Sequence, residues 1–352
     1  MAINVQKQQG FLDQVISELA AGYNGVMVSL GHKLGLYRAL DGAGPLNSDQ
    51  VAVRAGCAER YVREWLNSQV AGGYLEYHPA SRTYELPEEH RAVLSDEDSP
   101  VFMPPAWEVP ASMWLDEDKS LHAFRTGEGV PWGDHSHRLF CGSAAFYRNA
   151  YRGSLIQEWL PALDGVLQRL EQGIRVADVG CGHGHSTVLM AQAFPASRFR
   201  GFDAHPASLA AAEQQARDAA VSDRVSFTLS DALEYPGPGF DLICFFDCLH
   251  DMGDPVGAAR HAAERLNEGG TVMLVEPFAH DRLEENKGPV ARLYYSASTT
   301  ICCAHSLSER EGTALGAQAG EARLAEVFRQ AGFSHFRCAK RTPFNLILEA
   351  RR

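Results

Sequence analysis

The sequence predicts a doubly wound, Rossmann-like α/β domain with a seven-stranded sheet whose last strand is antiparallel, preceded by a winged-helix α+β domain. Three observations predict it. After Gly173, apolar strand-like runs alternate with helical stretches, which calls for a parallel sheet joined by crossover helices. The final two runs, Phe333–Cys338 and Asn345–Glu349, are separated only by Ala339–Phe344, too short for a crossover helix, so they must pair antiparallel. Upstream, residues 47–86 read as helix, turn, helix and hairpin.

With 352 residues the chain exceeds one ordinary core, and we divide it into a winged-helix domain (1–95), an aromatic-rich connector (96–155) and an α/β domain (156–352). Apolar residues at 45% and charged residues at 22% describe a soluble globular protein. A net charge of −12 disfavours nucleic acid and anionic lipid as partners. The start, MAINVQKQQG, lacks a signal-peptide pattern, and no apolar run approaches the ~18 residues of a membrane span. Eight cysteines without a CxxC pair read as reduced thiols, so a cytoplasmic location is expected.

Residues 11–41 carry Leu30, Leu34, Tyr37 and Leu40 at helical spacing, closed by Gly42. Asn47 or Ser48 caps a helix through Arg54, Gly56 turns the chain, and a second helix runs from Ala58 to Ala71. Tyr74–Tyr77 and Thr83–Leu86 alternate as strands around the turn His78–Arg82. On the second helix Glu59 and Glu64 flank Arg60 and Arg63, and residues 1–100 are acidic overall. A DNA reader needs a basic stripe, so this domain is expected to make a homodimer instead. The connector, broken by Pro104, Pro105, Pro110 and Pro131, carries Trp107, Trp114, Trp132, Phe140, Phe146 and Tyr147. We expect broken helices across a cavity, with Trp132 and Tyr147 as acceptor contacts. Five further strands are expected at Arg175–Val179, Phe199–Phe202, Val225–Leu229, Leu242–Phe246 and Thr271–Val275.

The chemistry starts in IRVADVGCGHGHSTVLMAQAFP. An apolar strand ends at Asp178, and Gly180, Gly182 and Gly184 make a tight turn into a helix, as needed where a ligand approaches backbone. Nicotinamide enzymes use a related turn, but here His185 stands where their third glycine would, and acids end the next two strands. Asp203, in FRGFDAHP, is placed to accept from ribose hydroxyls. Asp231, followed by Ala232, is placed to accept from an adenine amino group. A lone strand-end aspartate is more often a helix cap; three in register are a ligand site.

These strand ends resemble the class I methyltransferase pattern over roughly 156–352, and the whole chain resembles winged-helix O-methyltransferase-like enzymes. Further echoes are EWLPAL (158–163), GFDAH (201–205), LHDMGDP (249–255) and SLSEREGTALGAQAGEARL (306–324), which look like a bacterial subgroup without an assigned substrate. The resemblance implies S-adenosylmethionine as cofactor, with Asp178 facing its charged end and Phe246 walling it, and a small-molecule acceptor. It implies His250 as the base that deprotonates the acceptor and Glu276 as the carboxylate orienting it, with Asp251 beside them. Met252 stands where the family carries tryptophan. Tyr294 and His305 fall where such enzymes place acceptor contacts.

Two rivals are kept. Related enzymes that methylate the carbon of 2-oxo acids hold a metal through a histidine–aspartate pair and a later histidine, which His250, Asp251 and His305 resemble. His135 and His137, in HSH, would point the same way on an extended segment and could also ligate. The other rival is a ligand-sensing, DNA-binding regulator.

Overall fold

The computed structural model describes residues 3–237 and 239–352. It divides into two compact units: the chain up to Val109 together with Cys141–Asn149, and Pro110–Phe140 together with Ala150–Arg352. The connector segment 96–155 is therefore shared between the two.

The first unit begins with α1 (Val5–Lys33), capped by the Asn4 side chain, which accepts the Lys7 N–H at 3.0 Å. The single helix expected over 11–41 is broken, because Gly35 adopts φ +68° and a new helix, α2 (Leu36–Leu40), starts there. Asn47 and Gln50 form a reciprocal capping box on α3 (Ser48–Ala55), and α4 (Glu59–Ala71) follows. The hairpin pairs β1 (Glu76–His78) with β2 (Thr83–Glu85), Tyr77 opposite Tyr84. It starts later than expected because the Tyr74 and Leu75 N–H groups are taken by the Gln69 carbonyl at the end of α4. Val28, Tyr37, Leu40, Val51, Trp65, Leu66 and Tyr84 are among the residues of its core. The arginines of α4 are tied to its own glutamates, Arg60 to Glu64 at 2.5 Å and Arg63 to Glu59 at 2.6 Å.

In the second unit, seven strands form one sheet in the order β5-β4-β3-β6-β7-β9-β8. They are β3 (Arg175–Val179), β4 (Arg198–Asp203), β5 (Val225–Leu229), β6 (Phe240–Phe246), β7 (Leu266–Pro277), β8 (His335–Arg341) and β9 (Asn345–Arg351). The first five run parallel, and β9 lies antiparallel between β7 and β8. Central strands are buried on both faces, as in Val176–Val179 and Leu242–Phe246, which is why they read as continuous apolar runs. Ala258, Ala262, Leu324 and Phe328, on crossover helices, cover the strands with Ile243, Phe245 and Leu274. No helix among the described residues is long and apolar enough to cross a membrane.

Candidate active site

Because β3 to β7 run parallel, their carboxyl ends meet at one edge of the sheet. The antiparallel β9 begins at that edge, with Asn345 opposite Pro277. Neighbouring strands stand ~4.8 Å apart, so the tips of β5, β4, β3, β6 and β7 form a row roughly 20 Å long. Along it the sequence presents Asp231, Asp203, the Asp178–Gly180 turn, the β6 loop with His250, and Glu276.

At β3, Gly180 adopts φ +74°, and a Cβ there would fall 2.7 Å from the Cys248 sulfur, so only glycine makes this turn. Gly182, the next glycine, would direct a Cβ into open space. Asp178 is buried. Its Oδ2 accepts from the Ser186 hydroxyl at 2.7 Å and the Thr187 hydroxyl at 2.5 Å, fixing the start of the following helix. Its Oδ1 is buried and has no hydrogen-bond partner, an orphan acceptor. Burial, opposed by the two hydroxyls, pushes this carboxyl up to about 6. Asp203 accepts the Gly182 N–H at 2.8 Å and the His205 N–H at 2.9 Å, one on each oxygen, leaving a lone pair on each. Burial raises its pKa against those two backbone donors. Asp231 is exposed and accepts the Leu233 N–H at 2.8 Å; Ala232 packs on the core. Phe246 is buried, 5.4 Å from the Tyr151 ring.

The histidine and carboxylates expected at the reacting end follow β6 and end β7. The His250 side chain is 3% exposed, its Nδ1 against Glu276 Oε2 and its Nε2 2.9 Å from Asp251 Oδ1. Burial works against an imidazolium, but the Asp251 and Glu276 carboxylates outweigh it and raise the ring well above the usual histidine range. Burial raises Asp251, but His250 holds it below the usual carboxylate range. A π-helical turn, Ser298–Cys302, brings Cys302 to this pair. Among the described residues, His250, Asp251 and Cys302 form the group whose ligand atoms lie within 4.8 Å of one another. The grouping expected as His250, Asp251 and His305 is met instead by His250, Asp251 and Cys302. Burial and Asp251 push the Cys302 thiol up to about 12, so it stays protonated.

His305 instead lies 3.5 Å by Nε2 from Glu309, its ring 5.7 Å from that of Trp132. Trp132 also meets Phe140 at 5.7 Å and His135 at 6.2 Å. The two histidines of HSH do not face together: His135 is buried beside Asp116 at 3.3 Å, while His137 is exposed at the start of a helix, because the extended segment ends between them. Tyr294 is buried, and its hydroxyl donates to the Phe344 carbonyl at 2.8 Å. Tyr147 belongs to the first unit, edge-on to Phe146 at 5.3 Å. Asp247, directly after the apolar run of β6, carries a sequence signal like that of Asp178 near the end of β3, whereas Cys302 and Asn345 carry no local signal.

Residues 22–96 match the family described as Rv2258c-like winged HTH domain, and residues 170–332 match the family described as Methyltransferase domain. A 27-O-demethylrifamycin SV methyltransferase of Amycolatopsis mediterranei is 36% identical over 107 residues, 30% of this chain and 39% of that protein. The chain thus spans well under half of that relative. Among solved structures, human N-acetylserotonin methyltransferase in complex with SAM superposes with a TM-score of 0.72 at 18% identity, covering 97% of both chains. An O-methyltransferase family protein from Burkholderia thailandensis gives 0.69 at 16% identity, covering 100% of this chain and 99% of that one. At such identities the likeness establishes the fold.

Proposed function

We propose that this chain, a winged-helix domain joined to a methyltransferase domain, moves the methyl group of S-adenosylmethionine to an oxygen or nitrogen of a small-molecule acceptor. The observation that carries the reading is the row of strand tips: acceptors for adenine, ribose and a cationic end, then a buried histidine between carboxylates. The residues fit the cofactor, since the Asp178 Oδ1 orphan suits its ammonium and the Asp203 lone pairs suit two ribose hydroxyls. When bound, S-adenosylmethionine supplies an electrophilic methyl on a sulfonium. Asp231 and Ala232 border the base, Phe246 walls the site, and the glycine turn admits backbone contact.

His250 takes the acceptor's proton. Glu276 against Nδ1 fixes the orientation of the ring, and Asp251, 2.9 Å from Nε2, steadies the imidazolium that forms. Carboxylates against both nitrogens favour this proton-sharing role over metal ligation. Because the two carboxylates raise the ring, its base form grows as pH rises, and it suits a phenol or enol, whose proton is more readily transferred than an alcohol's. Trp132 and His305, set against each other, would border the acceptor.

The winged-helix domain serves self-association in this reading. Its α4 arginines are neutralised by Glu59 and Glu64, while α1 exposes Phe11, Ile16 and Leu19.

The test is a calorimetric titration with S-adenosylmethionine paired with transfer of labelled methyl to a panel of phenols and enolic acids. Asp203→Ala should weaken cofactor binding by at least about tenfold, since hydrogen bonds to a charged acceptor are lost. His250→Ala should leave affinity within about threefold and lower turnover by ~10²–10⁴. Unchanged affinity in the first variant, or unchanged turnover in the second, would remove that residue from its role.

A further inference from the structure

The loop that follows β6 holds a carboxyl group that the proton transfer at His250 does not use. Asp247 adopts φ +50°, a left-handed conformation that non-glycine residues enter at a cost of order 1 kcal/mol. It is 8% exposed. Its N–H donates to the Val275 carbonyl at 2.8 Å, and its Oδ1 accepts from the Asn345 amide at 2.8 Å. Its Oδ2 is buried and has no hydrogen-bond partner. A strained backbone and an orphaned carboxyl oxygen coincide at one residue, and both are costs that a ligand would offset.

The position says which ligand. Asp247 stands at the tip of β6, between the glycine turn of β3 and Glu276 of β7. In the row of tips, adenine and ribose fall to β5 and β4 and the acceptor's base to β6 and β7, so the charged sulfur falls beside Asp247. We propose that Asp247 is the counter-ion of the sulfonium, by which the protein tells the charged methyl donor from its neutral thioether product. This rests on S-adenosylmethionine being the bound donor.

The charges facing Asp247 make this selective. Burial and the Glu276 carboxylate hold its carboxyl far above the usual range, Asp251 adds to this, and His250 and the Asn345 amide oppose it. Tyr151 and Tyr294 also feel its charge, and Cys248 follows it in the loop. A neutral carboxyl in the ligand-free site ionises when a cation is placed against it, releasing its proton to solvent. The thioether offers no such charge, so the carboxyl stays protonated and the product loses that attraction after transfer.

The full-length protein would be titrated calorimetrically with S-adenosylmethionine and with S-adenosylhomocysteine, in two buffers of different ionisation heat. Wild type should release more protons on binding the first than the second. Asp247→Asn, which tolerates the left-handed backbone and can keep the Asn345 contact, should abolish that difference and cut the donor-to-product affinity ratio by about tenfold. Equal proton release by both ligands in wild type overturns the inference without any variant. So does a variant that weakens both ligands equally or leaves their ratio unchanged. Wild type binding neither ligand would instead sink the cofactor reading itself.

Discussion

Glu276→Gln is the most informative perturbation of the proton transfer, because it changes one proton and almost no volume. In the wild type, Glu276 can only accept, so the neutral His250 ring carries its proton on Nδ1 and keeps its Nε2 lone pair. A glutamine amide can donate to Nδ1 instead, which moves the proton to Nε2, on the side facing the Asp251 carboxylate 2.9 Å away. The base is then blocked. Loss of the correct tautomer and of one flanking charge should lower turnover by ~10²–10⁴, about 3–5 kcal/mol in the barrier. Both side chains are almost fully buried, 3% and 2% exposed, so water cannot replace the missing charge. The pH profile gives a second reading. The wild-type ring is raised above the ordinary histidine value, so activity should climb with pH through a titration above 6.5. Removing one of the two stabilising carboxylates moves that rise to lower pH. Glu276 lies two strands from Asp178, so cofactor affinity should hold. Turnover within threefold of wild type, measured by labelled methyl transfer, would refute the assignment of His250 as a base oriented by Glu276.

Asp178→Asn should stabilise the ligand-free protein while weakening cofactor binding. Burial lifts this carboxyl from 3.8 to about 6, so the folded state binds the proton more tightly than the unfolded one. Its ionisation therefore costs stability as pH rises from 4 through 6, by about 3 kcal/mol at neutral pH. A melting temperature at pH 7 that does not rise in the variant would contradict this. On the first unit, Leu19→Asp places a charge on the apolar face of α1, where Leu19 is 61% exposed. Sedimentation should show a self-associating wild type and a dissociated variant with unchanged helical content; a monomeric wild type would end the dimer proposal.

Several features were legible in the sequence because they are local. The strand–helix alternation, the glycine turn after Asp178, and the antiparallel closing pair depend on short-range pattern and on the minimum length of a crossover, so they could be read without tertiary contacts. The pairing of His250 with Glu276 was expected only from resemblance, since nothing in either segment states that β6 and β7 are neighbours. Other features needed the fold. Cys302, at the end of a π-helical turn, joins His250 and Asp251 where His305, three residues on, was expected. The end of an extended segment sent His135 inward and His137 outward. Of the two Asp247 oxygens, one is satisfied by Asn345, 98 residues away on β9, and the other is left orphaned. Backbone hydrogen bonding writes its preferences into neighbouring residues. Burial and charge at a site are sums over distant segments, and only the folded chain performs that sum.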